Sequence, residues 1–254
     1  MDLERYIRER LDRKDILLMT HIVLGYPSFE DSFRIIETMV EAGVDLMELQ
    51  IPFSEPIADG PVILKASQNA LKAGARVQTC LDLAGEITRT FDIPFLFMSY
   101  YNIFFKYDLS SFVAAMAERG IKGAIIPDLP PEEGQDYLRI MEEYRLAPIQ
   151  FFSPTTTTER MNYLNSFARG FIYCVARKGV TGQETQFSED LSVYLDRCRE
   201  TTSLPLALGF GIKERADVDY LKGKVEIAII GTQTIRIIEN EGISAVESFI
   251  KGIR

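Results

Sequence analysis

A closed (β/α)8 barrel is the fold this sequence predicts, on three observations. Eight short apolar runs alternate with amphipathic stretches along 254 residues, close to the length typical of that fold. The runs are continuously apolar, as parallel strands buried on both faces require. No stretch rich in Pro, Gly and Ser interrupts the alternation, so 1–254 reads as a single domain.

The runs fall at 16–24, 44–51, 94–100, 123–127, 147–152, 170–176, 205–210 and 226–231, and Ile, Val, Leu and Phe dominate them. Between the first two, SFEDSFRIIETMVEAG (28–43) spaces its apolar residues as one face of a helix does. LSSFVAAMAERG (109–120) ends in Gly120, a helix-stop signal. Two segments exceed the minimal alternation. The charged, amphipathic MDLERYIRERLDRKD predicts an extra N-terminal helix, and 77–91 predicts an additional helix after the second strand. An open doubly wound sheet built from the same elements is the competing architecture.

Composition narrows the function. Hydrophobic residues make up 46% and charged residues 26% of the chain, an ordinary globular balance. A chain of this length buries about 70–75% of its unfolded surface, so its core needs no staple. Cys80, Cys174 and Cys198 are odd in number, widely spaced and without a CxxC pair, which reads as buried thiols rather than disulfides or a zinc site. The net charge of −9 and the lack of a basic stripe exclude a nucleic-acid binder. No apolar stretch approaches 18 residues and no signal peptide is evident, so the cytoplasm is the expected compartment.

In a barrel, the chemistry sits at the C-terminal ends of the strands and in the loops that follow. Glu48 lies inside the apolar run LMELQI, an expensive place for a carboxylate. Asp59 follows in a loop stiffened by Pro52, Pro56 and Pro61. Two readings compete. Either Glu48 pairs with a base and Asp59 caps the next helix, or Glu48 is a desolvated general acid. Three strand ends carry glycines: GVTG (179–182), GFGI (209–212) and GTQT (231–234). The last two follow strands 7 and 8, where barrels hold phosphates on backbone N–H groups and a helix N-terminus.

The chain resembles the alpha subunit of tryptophan synthase along nearly its whole length. ELQIPFSEPIADGP is similar to that family's ELGxPFSDPxADGP. LGYPS (24–28), FMSYYN (97–102), PDLPPEE (127–133), SPTTTTERM (153–161), ARGFIY (168–173) and RKGVTG (177–182) follow in the family's order. The resemblance implies retro-aldol cleavage of indole-3-glycerol phosphate to indole and D-glyceraldehyde 3-phosphate. It implies Glu48 as the acid–base residue, Asp59 as acceptor of the indole N–H and Tyr173 beside the reacting end. It places the phosphate on Gly182, Gly211, Gly231 and Thr232, and the indole among Tyr100, Ile125, Pro127 and Phe210. No metal or organic cofactor is implied in this chain. The implied partner is a beta subunit carrying pyridoxal phosphate, in an alpha2beta2 tetramer, with Glu55 on the contact loop and 179–190 as a lid.

Several positions depart from the family pattern. Gln50 stands where the family has glycine, and strand alternation puts it on the face of Glu48, within reach of that carboxylate. Glu55 replaces an aspartate, and Ala176 and Lys178 flank Arg177 where small polar residues are usual. His21, the sole histidine, takes an aromatic or apolar position and reads as a core residue. These departures leave open a weakened alpha subunit that mainly activates its partner, and a stand-alone lyase that releases free indole. A different phosphate-binding barrel has only the architecture in its favour.

Overall fold

The computed structural model describes residues 2–175, 189–209 and 211–254. Its eight strands are β1 (Leu17–Val23), β2 (Leu46–Gln50), β3 (Phe95–Met98), β4 (Gly123–Ile125), β5 (Ala147–Phe152), β6 (Ile172–Val175), β7 (Leu206–Gly209) and β8 (Ile227–Ile230). Each pairs in parallel with the next, and β1 pairs with β8 to close the barrel. Every predicted apolar run contains one of these strands. The open-sheet alternative is thereby excluded.

Side-chain alternation sorts the strand residues into two layers. Leu17 and Met19 of β1, Leu46 of β2, Leu96 and Met98 of β3, Ile149 of β5 and Ile229 of β8 fill the barrel interior. Their neighbours, among them Leu18, Met47, Phe97 and Leu208, pack outward against the helices. Burial on both faces is why apolar residues dominate the runs. Cys80, Cys174 and Cys198 are free and buried, as expected of thiols used for packing.

The predicted N-terminal helix is α1 (Leu3–Leu11), started by Asp2, whose side chain accepts from the Arg5 N–H. Leu3, Tyr6 and Ile7 plug the N-terminal end of the barrel. The Tyr6 hydroxyl donates to the carbonyl of Asp45, 2.9 Å away. Asp45 is itself buried, and its carboxylate meets Lys14 and, at 3.6 Å, Arg254. This buried acid at the closed end is fully paired.

α2 (Phe29–Glu41) matches the predicted span, capped by Ser28. Two helices follow β2: α3 (Pro61–Lys72) and α4 (Val77–Thr90). The predicted extra helix, α4, packs between α2 and α6 (Leu109–Glu118) in the outer ring, while α3 packs on β1 and on α11 (Thr232–Glu241). Ile63, Ala66 and Ala70 of α3 share a small cluster with Val23 and Ile235, apart from the main core. Gly120 takes φ +76° just past α6, the left-handed stop its position implied. Two further helices, α5 (Tyr101–Tyr107) and α12 (Ser244–Ile253), give β3 and β8 paired followers as well. No helix among the described residues is long and apolar enough to cross a membrane.

Candidate active site

Glu48 sits on β2 one step above Leu46, facing into the barrel beside His21 of β1 and Leu96 of β3. It is buried, and its Oε1 has no hydrogen-bond partner among the described residues. Burial, with the Asp59 carboxylate as a second cause, pushes its pKa up to about 8; only the Tyr173 hydroxyl works in the opposite direction. Asp45, three residues earlier, shows what a structural buried acid looks like here: it has cations. Among the described residues no cation pairs with Glu48. Among the described residues, nothing supports the pairing alternative.

Asp59 lies in the loop between β2 and α3. It is not the N-cap residue of α3, a position that Gly60 holds. Its Oδ2 accepts from the Gln50 amide at 2.6 Å. Burial raises its pKa to about 6, with the Gln50 amide and Tyr100 hydroxyl holding it from rising further. The carboxylates thus divide at neutral pH. Glu48 keeps its proton and Asp59 is charged, a separation of environments that assigns one acid and one anion.

Tyr100, just past β3, anchors the loop in two ways. Its ring stacks on Phe53 with centroids 5.1 Å apart, and its hydroxyl accepts from the Ala58 N–H at 3.2 Å. Tyr100 and Gln50 thus hold Asp59 and its loop from within the chain. The same geometry corrects the expectation for Gln50. Its amide reaches Asp59 and His21, not Glu48.

Tyr173 on β6 packs against Phe151 on β5, ring centroids 5.2 Å apart. A Cβ on Gly209 would lie 3.1 Å from its hydroxyl, so the ring would have to give by a few tenths of an ångström to admit one. This close approach of Gly209 to Tyr173 runs between neighbouring strands, so no local pattern in GFGI shows it. Ile125 and Tyr100 line the barrel interior, and Pro127 is half-buried in the loop after β4. Gly211 takes φ +77° two residues past β7. Gly231 is the N-cap of α11 and lacks a side-chain cap, and Thr232 opens that helix. β7 and β8 are neighbours, so their glycines come to one side of the mouth. Gly182, Phe210, Ala176, Arg177, Lys178 and most of the 179–190 lid lie outside the described residues.

Comparison with known proteins converges on one family. The family model described as tryptophan synthase alpha chain matches residues 8–251. The chain belongs to the tryptophan synthase alpha chain family. The tryptophan synthase alpha chain of Desulforapulum autotrophicum is 63% identical over 99% of both chains, and that of Syntrophotalea carbinolica is 58% identical over 99% of this chain and all of its own. Among solved structures, a Mycobacterium tuberculosis tryptophan synthase chain superposes with a TM-score of 0.93 at 28% identity, covering 99% of this chain and 96% of that one. The tryptophan synthase alpha subunit of Legionella pneumophila gives 0.89 at 29% identity, over the whole of this chain and 97% of its own. This chain carries one inward carboxylate, Glu48, on its second strand and another, Asp59, on the loop that follows.

Proposed function

We infer that this chain is a carbon–carbon lyase that cleaves indole-3-glycerol phosphate to indole and D-glyceraldehyde 3-phosphate, the alpha reaction of L-tryptophan biosynthesis. The observation that carries this reading is the pair of inward carboxylates held in opposite charge states at the barrel mouth. Glu48, protonated up to about pH 8, donates a proton to indole C3, giving an indolenine. Asp59, ionised above about pH 6, accepts the ring N–H as that nitrogen gains positive charge. The carboxylate left on Glu48 then takes the glycerol hydroxyl proton as the C–C bond breaks, and the bonding pair returns to the ring. Protons balance, and indole and the aldehyde leave. Tyr173 supports the Glu48 end, and Tyr100, Ile125, Pro127 and Phe210 enclose the ring.

The scheme asks for no metal or organic cofactor in this chain. The phosphate docks on backbone N–H groups at Gly182, Gly211 and Gly231 and on the Thr232 hydroxyl, at the positive end of α11. Gly231 is the cleanest probe, since a Cβ there meets only His21, at 3.7 Å or more. Gly231→Leu is expected to fold normally yet to weaken binding of indole propanol phosphate about tenfold or more, because the side chain holds the anion off the amides. Unchanged affinity by calorimetry would place the phosphate elsewhere.

Indole passes to a beta subunit holding pyridoxal phosphate, in an alpha2beta2 complex at work in the cytoplasm. Support comes from two apolar side chains near the strand-end mouth: Ile57 on the Asp59 loop and Phe105 on α5 are each 72% exposed. Glu55 is exposed on that loop, where the Ser54 hydroxyl donates to its carboxylate. The test is an indole-release assay on the purified chain, alone and titrated with beta subunit from the same source. We expect slow release alone and a rise of about tenfold or more with the partner, through water exclusion at the closed mouth. Glu55→Ala is expected to blunt that rise. No indole from either sample would overturn the proposed activity, and full speed without the partner would leave a stand-alone lyase.

A further inference from the structure

We propose that His21 and Gln50 form a positioning relay that holds the Asp59 carboxylate in one orientation and keeps it charged for the substrate N–H. The relay rests on the reading of Asp59 given above and adds two residues to it. Gln50 stands where the family pattern has glycine, a residue with no side chain to make these bonds.

The chain of contacts runs across the barrel mouth from β1 to the loop after β2. The His21 ring Nε2 lies 2.6 Å from the Gln50 Oε1, and the Gln50 Nε2 lies 2.6 Å from the Asp59 Oδ2. Hydrogen-bond chemistry gives this chain one direction. An ionised carboxylate only accepts, so the amide must turn its NH2 toward Asp59. Its carbonyl oxygen then faces His21, so the Nε2 must carry the donated hydrogen. Burial lowers the His21 pKa to about 4, so the ring is neutral and its Nδ1 carries no proton. That Nδ1 is buried and unpartnered among the described residues. Each member therefore has one permitted state, and the amide cannot flip without setting two acceptors against each other.

The register supports the same conclusion. His21 pairs with Glu48 and Val23 with Gln50 across β1 and β2. Both relay side chains thus start from adjacent rigid strands, and only Asp59 comes from a loop. The groups acting on Asp59 are Gln50, Tyr100 beyond β3, Glu48 of β2 and Tyr173 of β6. Of these, Gln50 donates to the carboxylate from a strand, and His21 anchors the far end of that amide by donating from Nε2 to its carbonyl oxygen.

The experiment uses the full chain and its single histidine. Nitrogen-15 NMR of the imidazole should show Nε2 protonated and Nδ1 bare, without titration down to about pH 5. Gln50→Leu keeps the bulk and removes both bonds. It is expected to abolish that fixed tautomer and to move the acid limb of the kcat/KM profile up by about one pH unit, as loss of a donor to a charged form requires. A purely packing role would lower turnover or stability without moving the limb. If Gln50→Leu does not fold, the isosteric Gln50→Glu sets a second carboxylate against Asp59 and must move the limb further still. A histidine protonated at Nδ1, or an unmoved acid limb in the folded variant, would overturn the relay. If the wild-type chain releases no indole, the proposed activity fails on its own, while the tautomer and its loss in Gln50→Leu still decide whether the hydrogen-bond chain exists.

Discussion

Glu48→Gln is expected to abolish indole release, with kcat falling by about 10²-fold or more, the usual worth of one well-placed proton transfer. The same substitution should make the protein more stable at neutral pH. In the folded state the Glu48 pKa is about 8 against an ordinary 4.5, so folding holds a proton that the unfolded chain releases between those values. The stability linked to that group is complete below pH 4.5 and is lost as pH rises through 8. Gln has no proton to hold, so the loss does not occur in the variant. At pH 7 the gain is roughly 1–3 kcal/mol, or about 3–10 °C in melting temperature for a chain of this size. Scanning calorimetry at pH 5 and pH 8 checks it, since the two proteins should differ more at the higher pH. Turnover above a tenth of wild type with normal substrate binding would remove Glu48 from the acid role. A lower melting temperature at pH 8 would mean that the carboxylate makes a stabilising contact of its own.

Asp59→Asn is expected to cost about 10²–10³-fold in kcat, the range seen when a preorganised electrostatic partner is removed from a developing charge. Asn has nearly the shape of Asp but only one acceptor oxygen. If that oxygen stays toward the Gln50 amide, an NH2 is left facing the substrate N–H. Wild-type activity should follow a bell, rising through about pH 6 as Asp59 ionises and falling through about pH 8 as Glu48 loses its proton. In the variant the rising limb disappears. The falling limb should also move to lower pH, because the Asp59 charge is one of the causes that raise Glu48. A pH–rate profile under single-turnover conditions reads both limbs at once. A bell that survives unchanged would assign its acid limb to another group.

The barrel, its eight strands and the inward placement of Glu48 were legible in the linear order of residues. A strand buried on both faces must be continuously apolar, and a carboxylate in such a run is visible as an exception. The ADGP loop and the glycines after β7 and β8 were legible through family motifs, which are local strings. What the chain order could not decide was which exception is functional. Asp45 and Glu48 are both buried acids of the second β-strand region, and only the folded molecule shows Lys14 and Arg254 on the first and no cation among the described residues on the second. Those partners come from distant parts of the chain, so no window of sequence contains the pairing.

The direction of Gln50 was likewise settled by tertiary structure. Strand alternation placed it correctly on the face of Glu48, but its bonds go to His21 on the neighbouring strand and Asp59 on the following loop. Periodicity fixes the side of a sheet and leaves open which neighbour a long polar side chain finds. The same limit explains α3 and α4. Only 77–91 was read as a helix from the chain order, and the places of both depended on which apolar face found α2 and α6 and which found α11. Sequence by itself determined the elements, their parity and the residue types available for proton transfer. Tertiary structure decided burial without a counter-ion among the described residues, and hence which carboxylate keeps its proton, because desolvation and charge pairing depend on the summed surroundings and not on chain order.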